Sequence, residues 1–357
     1  MTGRLLITGG AGFIGSAVVD AALNAGWRVR VLDSLRPDVH AAVQRPPHGE
    51  VEFVRADVRD EDALARALID VDAVCHQAAK VGLGLGIRDA PDYVSSNSLG
   101  TATLLAAMTE AGVDRLVLAS SMVVYGEGLY LDDDRVVQPP PRTRADLKAG
   151  HFDPLSARTG APLRPLSISE NQPCDPRNVY AATKLEQELL ARSWAQSGGR
   201  AALLRYHNVY GPAMPQGTPY AGVASLFRSA LERGETPRVF EDGEQRRDFI
   251  HVRDVAGANI AALEWTETAE TETARAFNVA TGVPHTIGEF ADGLAAAFGS
   301  ERPPRTGEFR MGDVRHITAS ADRIRAELGW NPRVGFEEGV REFAHEPLRD
   351  RAAGSAR

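Results

Sequence analysis

Short apolar runs alternate with longer stretches whose apolar positions recur every three or four residues, and this alternation sets the rhythm of the first half of the chain. A short apolar run bounded by turn residues reads as a buried strand, and the longer period as an amphipathic helix. Strands are expected over Arg4–Thr8, Arg28–Asp33, 51–55, 71–76 and Arg115–Ser120, with a helix over Phe13–Ala25. A long helical pattern from Asn178 to Ser197 carries apolar Leu185, Leu189 and Leu190, and a sixth strand follows at Ala201–Tyr206. Strands alternating with helices and joined by right-handed crossovers give an α/β fold with a doubly wound parallel sheet. The hairpin turns that would mark an antiparallel barrel about every 8 to 12 residues are missing.

Three stretches break the rhythm. The segment from Glu127 to Pro173 carries Pro139-Pro140-Pro141, Pro154, Pro162, Pro165 and the acidic run Asp132-Asp133-Asp134. An irregular insertion of that length reads either as a lid or as local disorder. The Thr/Glu/Ala stretch 266–273 is expected to be a solvated connection, and the tail 347–357 to be frayed.

Composition mainly excludes. The 357 residues are enough for two domains or one large one. With 43% apolar and 25% charged residues the chain can bury a core. A net charge of −8 argues against nucleic acid as a partner but leaves room for a phosphorylated small molecule held by a local arginine cluster. Two cysteines, Cys75 and Cys174, allow neither a disulfide framework nor a four-thiolate metal site, so no metal is expected. No leader-like N-terminal segment and no bilayer-length apolar run is seen, so the expectation is a soluble, cytoplasmic protein with no membrane partner.

The first candidate site is Thr8-Gly9-Gly10-Ala11-Gly12-Phe13-Ile14-Gly15, between the first strand and the first helix. Gly9 permits a tight turn, Gly12 lets the backbone approach a pyrophosphate, and Gly15 lets helix and strand pack closely. The helix N-terminus, entered at Phe13 and Ile14, offers free N–H groups to phosphates. Asp33 ends the second strand 18 residues beyond Gly15, where a carboxylate binds ribose hydroxyls and repels a 2′-phosphate, favouring NAD. Asp57 and Val58 follow the third strand, where Asp57 either borders an adenine or caps a helix. The small residues of Gln77-Ala78-Ala79, after the fourth strand, leave room for the cofactor.

The second is Tyr180-Ala181-Ala182-Thr183-Lys184, which sets a phenol and an ammonium on one helical face. A phenol near pKa 10 is a poor base at neutral pH. An adjacent ammonium and an oxidised nicotinamide would lower it, and bringing it near neutrality takes roughly 4 kcal/mol of differential stabilisation. Ser121 lies at the carboxyl end of the fifth strand, where such sheets bind ligands, and reads as a hydroxyl relay or as a turn cap.

These motifs resemble the extended short-chain dehydrogenase/reductase family, in its nucleotide-sugar epimerase/dehydratase branch. The matching residues are the glycine run from Thr8, Asn97 with Gly100-Thr101, Ser120 to Gly126, Tyr180 to Lys184, Arg205 to Pro212, Arg247 to Asp254, Phe277-Asn278-Val279 and Leu328-Gly329-Trp330. The resemblance runs from Leu5 to about Phe343. It implies a Rossmann domain over 1–206 and 248–282, interrupted by the 127–173 insertion. It also implies a smaller α/β substrate domain over 207–247 and 283–346. In this likeness Tyr180 is the catalytic base, Lys184 the ribose ligand, Ser121 the relay, and Asn97 contacts the cofactor or orders the site. Asn208 would meet the sugar diphosphate, Val239 and Phe240 flank the base, Arg247 and Arg310 neutralise the pyrophosphate, and Asp313 holds the nucleotide ribose. His207 replaces the family's usual Phe and is either a core histidine or a sugar contact. The resemblance further implies a homodimer built on the helix after Asn97 and the Tyr180 helix, with Leu104, Leu105 and Met108 in its seam or in the core.

Within that branch, dehydratases follow the relay hydroxyl with an Asp-Glu pair, and decarboxylating relatives place a Glu second. Here the positions are Met122 and Val123, which transfer no proton. What remains is 4-epimerisation through a transient 4-keto sugar, with 4-ketoreduction as the alternative. Ser120 to Gly128, the proline-rich insertion and Arg205-Tyr206-His207-Asn208 resemble chains acting on dTDP-6-deoxyhexoses, and a UDP-hexose or UDP-hexuronate is the alternative. In those chains the insertion can hold a Cys-x-x-Cys; Ser156 and Thr159 stand there instead.

Overall fold

The structure, a computed structural model, describes residues 3–37, 40, 51–82, 87–216 and 222–349. Leu5, Leu6 and Ile7 are fully buried, as a strand covered on both faces requires, and form the middle of β1 (Arg4–Thr8). The glycine turn leads into α1 (Phe13–Asn24), followed by β2 (Arg28–Asp33) and β3 (Glu52–Arg55). Asp60 caps α2 (Glu61–Ala67), its carboxylate accepting the Ala63 N–H at 2.9 Å. After β4 (Ala73–His76) a continuous helical segment comprises α3 (Ala90–Tyr93), a π-helical stretch (Val94–Leu99) and α4 (Gly100–Glu110). It leads to β5 (Arg115–Ser121).

The insertion is ordered, which removes the disorder that was one of its two expected readings. β6 (Leu129–Asp132) and β7 (Arg135–Val137) form a hairpin whose turn is the acidic run, with Asp133 at φ +51°. A short helix, α5 (Arg144–Lys148), follows, and β8 (Arg164–Leu166) pairs with the other edge of β6.

The second half supplies α6 (Val179–Ala195), β9 (Arg200–Tyr206), β10 (Asn208–Tyr210), α7 (Gly222–Glu232), β11 (Arg246–Arg247) and β12 (Phe249–His251). It continues through α8 (Val252–Thr268), β13 (Thr273–Val279), β14 (His285–Thr286), α9 (Ile287–Ala297), α10 (Asp322–Leu328) and α11 (Phe336–His345). Thr266 lies within α8, fully buried, its hydroxyl donating to the Leu263 carbonyl, so the expected solvated connection begins as the last turn of that helix and only 269–272 link it to β13. Residues 347–349 are not frayed but pair with 213–216.

The main sheet is parallel, in the order β13-β9-β5-β4-β1-β2-β3. Its winding reverses between β1 and β4, and the crevice at their carboxyl ends is where such sheets bind ligands. Leu104, Leu105 and Met108 pack with Leu116, Leu118 and Leu203 beneath the sheet and are therefore core. The exposed apolar side chains of these helices are Val94, Leu99 and Leu189. A separate aromatic core holds β10, β12, α9 and α11 together, with Phe249 stacked on Phe290 at 4.4 Å and Tyr210 edge-on to Phe290 at 5.3 Å. Among the described residues no helix is long and apolar enough to cross a membrane.

Arg315, fully buried, ties the insertion to this second unit. It donates to Asp153 at 2.8 Å, Glu241 at 2.9 Å and both oxygens of Asp242 at 2.7 and 2.8 Å. Arg315→Met would leave buried Glu241 to Arg142 alone and remove the guanidinium from Asp242, and denaturant unfolding should show a loss of about 1–3 kcal/mol. Arg158→Met, which breaks the exposed pair with Asp133, should cost less than about 0.5 kcal/mol in the same measurement.

Candidate active site

The glycine turn closes tightly on its neighbours. Gly9 has φ +70°, and a Cβ there would lie 2.6 Å from the Ala78 nitrogen; one at Gly15 would lie 2.1 Å from the Gly9 carbonyl oxygen. These glycines let the ends of β1 and β4 and the start of α1 converge. Gly9 and Gly12 border an open cleft lined also by Asp33, Asp57, Val58, Gln77, Ala78 and Ala79. The Asp33 carboxylate accepts the N–H groups of Ala11 at 3.0 Å and Leu35 at 2.9 Å, with His40 Nε2 at 3.7 Å. Asp57 does not cap α2, a role taken by Asp60. It pairs with Arg59 at 2.7 Å, which holds its carboxyl below the usual range. Phe13 packs on the aromatic core and Ile14 on the sheet core, so both shape the turn from behind. The cleft, its side-chain-free glycine floor and the carboxylate at its rim fit an adenine dinucleotide.

Asn97 is fully buried in the π-helical stretch and orders the site rather than lining the cleft. Its amide accepts the Lys80 N–H at 2.7 Å and donates to the Lys80 carbonyl at 3.0 Å and to Thr183 Oγ1 at 2.9 Å. It thereby joins the segment after β4 to the helix bearing the tyrosine.

Tyr180 and Lys184 occupy the first turns of α6, whose N-terminus is capped by Asn178 accepting the Ala181 N–H at 2.9 Å. Ser121, at the end of β5, lies beside the Tyr180 phenol and favours its ionised form, and it accepts weakly from the Val123 N–H at 3.4 Å, so relay and cap positions coincide. Lys184 Nζ donates to the Ala119 carbonyl at 2.8 Å and stands 6.0 Å from the Tyr180 ring centre. Burial pushes the phenol up to about 12, with Ser121 pulling the other way, and pushes Lys184 down to about 7 against the pull of Glu188. The depressed phenol expected from the Tyr–Lys spacing is thus not a property of the chain alone, because desolvation outweighs an ammonium engaged elsewhere.

Glu188, one turn beyond Lys184, was not singled out by sequence, although its place on the Tyr–Lys face was a signal. It is fully buried, accepts from Arg205 Nε at 2.9 Å and Nη2 at 2.7 Å, and receives the Ser120 hydroxyl at 2.5 Å. Tyr93, 6.2 Å from the Tyr180 ring, was likewise missed.

On the opposite side, Asn208 follows His207, which is buried with both ring nitrogens unpartnered among the described residues and its pKa pushed down to about 3 by burial. Asn208 Oδ1 is also buried without a partner. Val239 is wholly core, whereas Phe240 faces the Arg310 guanidinium at 5.0 Å. Arg247 is turned onto the carbonyls of Arg246, Val314 and Arg315 at 2.8, 2.7 and 2.9 Å. The Asp313 carbonyl accepts Arg142 of the insertion at 2.8 Å, so the insertion braces this end of the site. Met122 and Val123, beside Ser121, are half-buried and carry no ionisable proton.

Residues 5–149 and 156–280 match the NAD dependent epimerase/dehydratase family. A dTDP-L-rhamnose 4-epimerase from Burkholderia thailandensis is 36% identical over 349 residues, 95% of this chain and 93% of the relative. A UDP-glucose 4-epimerase from Mycolicibacterium smegmatis is 31% identical over 344 residues, covering 94% and 96%. The crystal structure of Thermus thermophilus UDP-glucose 4-epimerase in complex with NAD superposes with a TM-score of 0.76 at 31% identity, covering 96% of this chain and 97% of that one.

The depressed Lys184 pKa has a measurable consequence. Between about 7 and the ordinary 10.5 the unfolded chain binds this proton and the folded chain does not. Stability of the nucleotide-free protein should therefore rise with pH across that window, by up to about 1.4 kcal/mol per pH unit from this group. Denaturant unfolding at pH 7 and pH 9 should show the rise in the wild type and a flatter profile in Lys184→Met.

Proposed function

The chain belongs to the NAD-dependent epimerase/dehydratase family, and from that premise we propose that it interconverts dTDP-L-rhamnose and dTDP-6-deoxy-L-talose. It is an NAD-dependent nucleotide-sugar 4-epimerase; the sugar and its nucleotide are the proposal. The observation that carries the reading is the absence of a proton-transferring side chain at Met122 and Val123, which supports inversion at C4 over elimination across C5–C6. The similarity to the B. thailandensis relative supports the dTDP-deoxyhexose, and the UDP-glucose 4-epimerase relatives support a UDP-hexose as the second reading.

NAD, when bound in the cleft, would supply reversible hydride transfer at C4 of the sugar. Tyr180 takes the O4 proton and gives it back, with the Ser121 hydroxyl beside the phenol relaying it. Lys184, close to Tyr180 on the same helix, holds the nicotinamide ribose. Asp33 binds the adenine ribose. Asn208 meets the sugar diphosphate, Phe240 and Arg310 sandwich the base end, Arg247 releases its carbonyls to meet the pyrophosphate, and Asp313 takes the nucleotide ribose. Exposed Val94, Leu99 and Leu189 on the segment around Asn97 and on α6 support a homodimer through these helices. Cys75 and Cys174 are free thiols, in keeping with a reducing cytoplasm.

Proton NMR of the protein with dTDP-L-rhamnose and a trace of NAD should show a new H4 signal with altered couplings to H3 and H5 and no accumulating NADH. An unchanged spectrum overturns this sugar, and stoichiometric consumption of added NADH with a 4-keto sugar would indicate ketoreduction. Tyr180→Phe should lower kcat on the order of 10²- to 10⁴-fold while NAD is retained.

A further inference from the structure

The segment 347–349 lies outside the family match, which ends at residue 280, yet its backbone pairs with a segment that borders the cofactor cleft. Its backbone forms a short strap with the segment after β10. Ala213 N–H donates to the Pro347 carbonyl at 3.0 Å, Arg349 N–H to the Met214 carbonyl at 3.0 Å, and Gln216 N–H to the Arg349 carbonyl at 3.1 Å. Pro215, in the middle of that pairing, lines the cleft. The strap sends the Arg349 side chain onto the glycine turn, where Nη1 donates to the Ala11 carbonyl and Nη2 to the Gly12 carbonyl at 3.3 Å and Ser16 Oγ at 3.5 Å.

We propose that Arg349 is a cofactor-binding residue, carried by the strap to the start of α1, where its guanidinium helps hold the dinucleotide pyrophosphate. The charge balance supports this. The α1 N-terminus is capped by Gly12 with no side-chain bond and has no acidic residue in its first turn, so its positive end is uncompensated from within. Arg349 adds a second positive charge to that end, and burial opposes its ionised form while Asp33 favours it. The Asp33 carboxylate, which takes the Ala11 N–H on the same turn, offsets part of this positive charge, and a pyrophosphate at the turn takes up the rest. Of the five guanidinium N–H groups three are engaged, leaving Nε and one Nη1 hydrogen without a partner among the described residues.

The test is ligand affinity of the full-length, nucleotide-stripped chain, measured calorimetrically with NAD, ADP-ribose and adenosine, for wild type, Arg349→Met and Arg349→Lys. Arg349→Met should weaken NAD and ADP-ribose on the order of tenfold, leave phosphate-free adenosine within about twofold, and narrow its deficit as salt is raised. Arg349→Lys should recover part of the loss. Unchanged NAD affinity in Arg349→Met overturns the proposal. So does an equal loss for all three ligands with a lowered unfolding midpoint, which would make the strap a structural tie only. If Arg349→Met does not fold, Arg349→Lys decides: it must bind adenosine as the wild type does and show any deficit only for the two diphosphates.

Discussion

The buried ion pair between Glu188 and Arg205 is the contact on which the arrangement of the site depends. Both side chains are almost wholly removed from water, so each charge is tolerable only while the other is within reach. The pair fixes α6 against β9, and the Ser120 hydroxyl on Glu188 adds β5 to the same lock. On those elements sit Tyr180, Lys184 and Ser121. Arg205 also donates to the Tyr125 hydroxyl, which donates in turn to Asn278 on β13, so the network crosses from the catalytic helix to the edge of the sheet. Apolar residues of the same volume would pack α6 as firmly. They would not fix its rotation about its own axis, and that rotation decides where the phenol points.

A second polar lock joins the insertion to the nucleotide end. Glu127 gathers the N–H groups of Arg315 and His316 and the Tyr130 hydroxyl, while Arg142 and Arg315 close on Glu241. These groups lie far apart in sequence, so the insertion gains its order from charges in the second half of the chain rather than from its own short strands. This is why it reads as irregular: β7 is mostly exposed and β8 is three residues long, too little for a period to show.

The parallel sheet was legible because its strands are buried on both faces and its helices keep the 3.6 period. The glycine turn was legible because only glycine allows the approach of β1 to β4. Tyr180 and Lys184 were legible as a pair, but the direction of their pKa values was not, since spacing encodes proximity and not desolvation. Glu188 escaped notice because a buried acid on a helix looks like any other until its arginine, 17 residues on, folds against it. The tail gave no signal, because Arg349 is ordered by backbone pairing with 213–216 and not by apolar periodicity. His207 remained ambiguous for a related reason: burial is written in its neighbours, whereas the lack of partners on its ring nitrogens belongs to the folded chain alone.

Burial drives Tyr180 and Lys184 in opposite directions on the pH scale, and both shifts favour the neutral form. A pocket whose burial weakens the charged form of both groups is one whose protonation is set by what enters it. By linkage, a cationic ring placed beside the phenol lowers its pKa by the same free energy with which loss of the proton tightens the hold on that ring. Reduction of such a ring removes its charge, so the phenol regains its affinity for the proton when hydride has been taken up and loses it again when hydride is returned. The alternation that an epimerase needs, base in one half-reaction and acid in the other, then follows from one desolvated tyrosine responding to the charge of its neighbour. No second titrating residue is required, and Met122 and Val123 supply none.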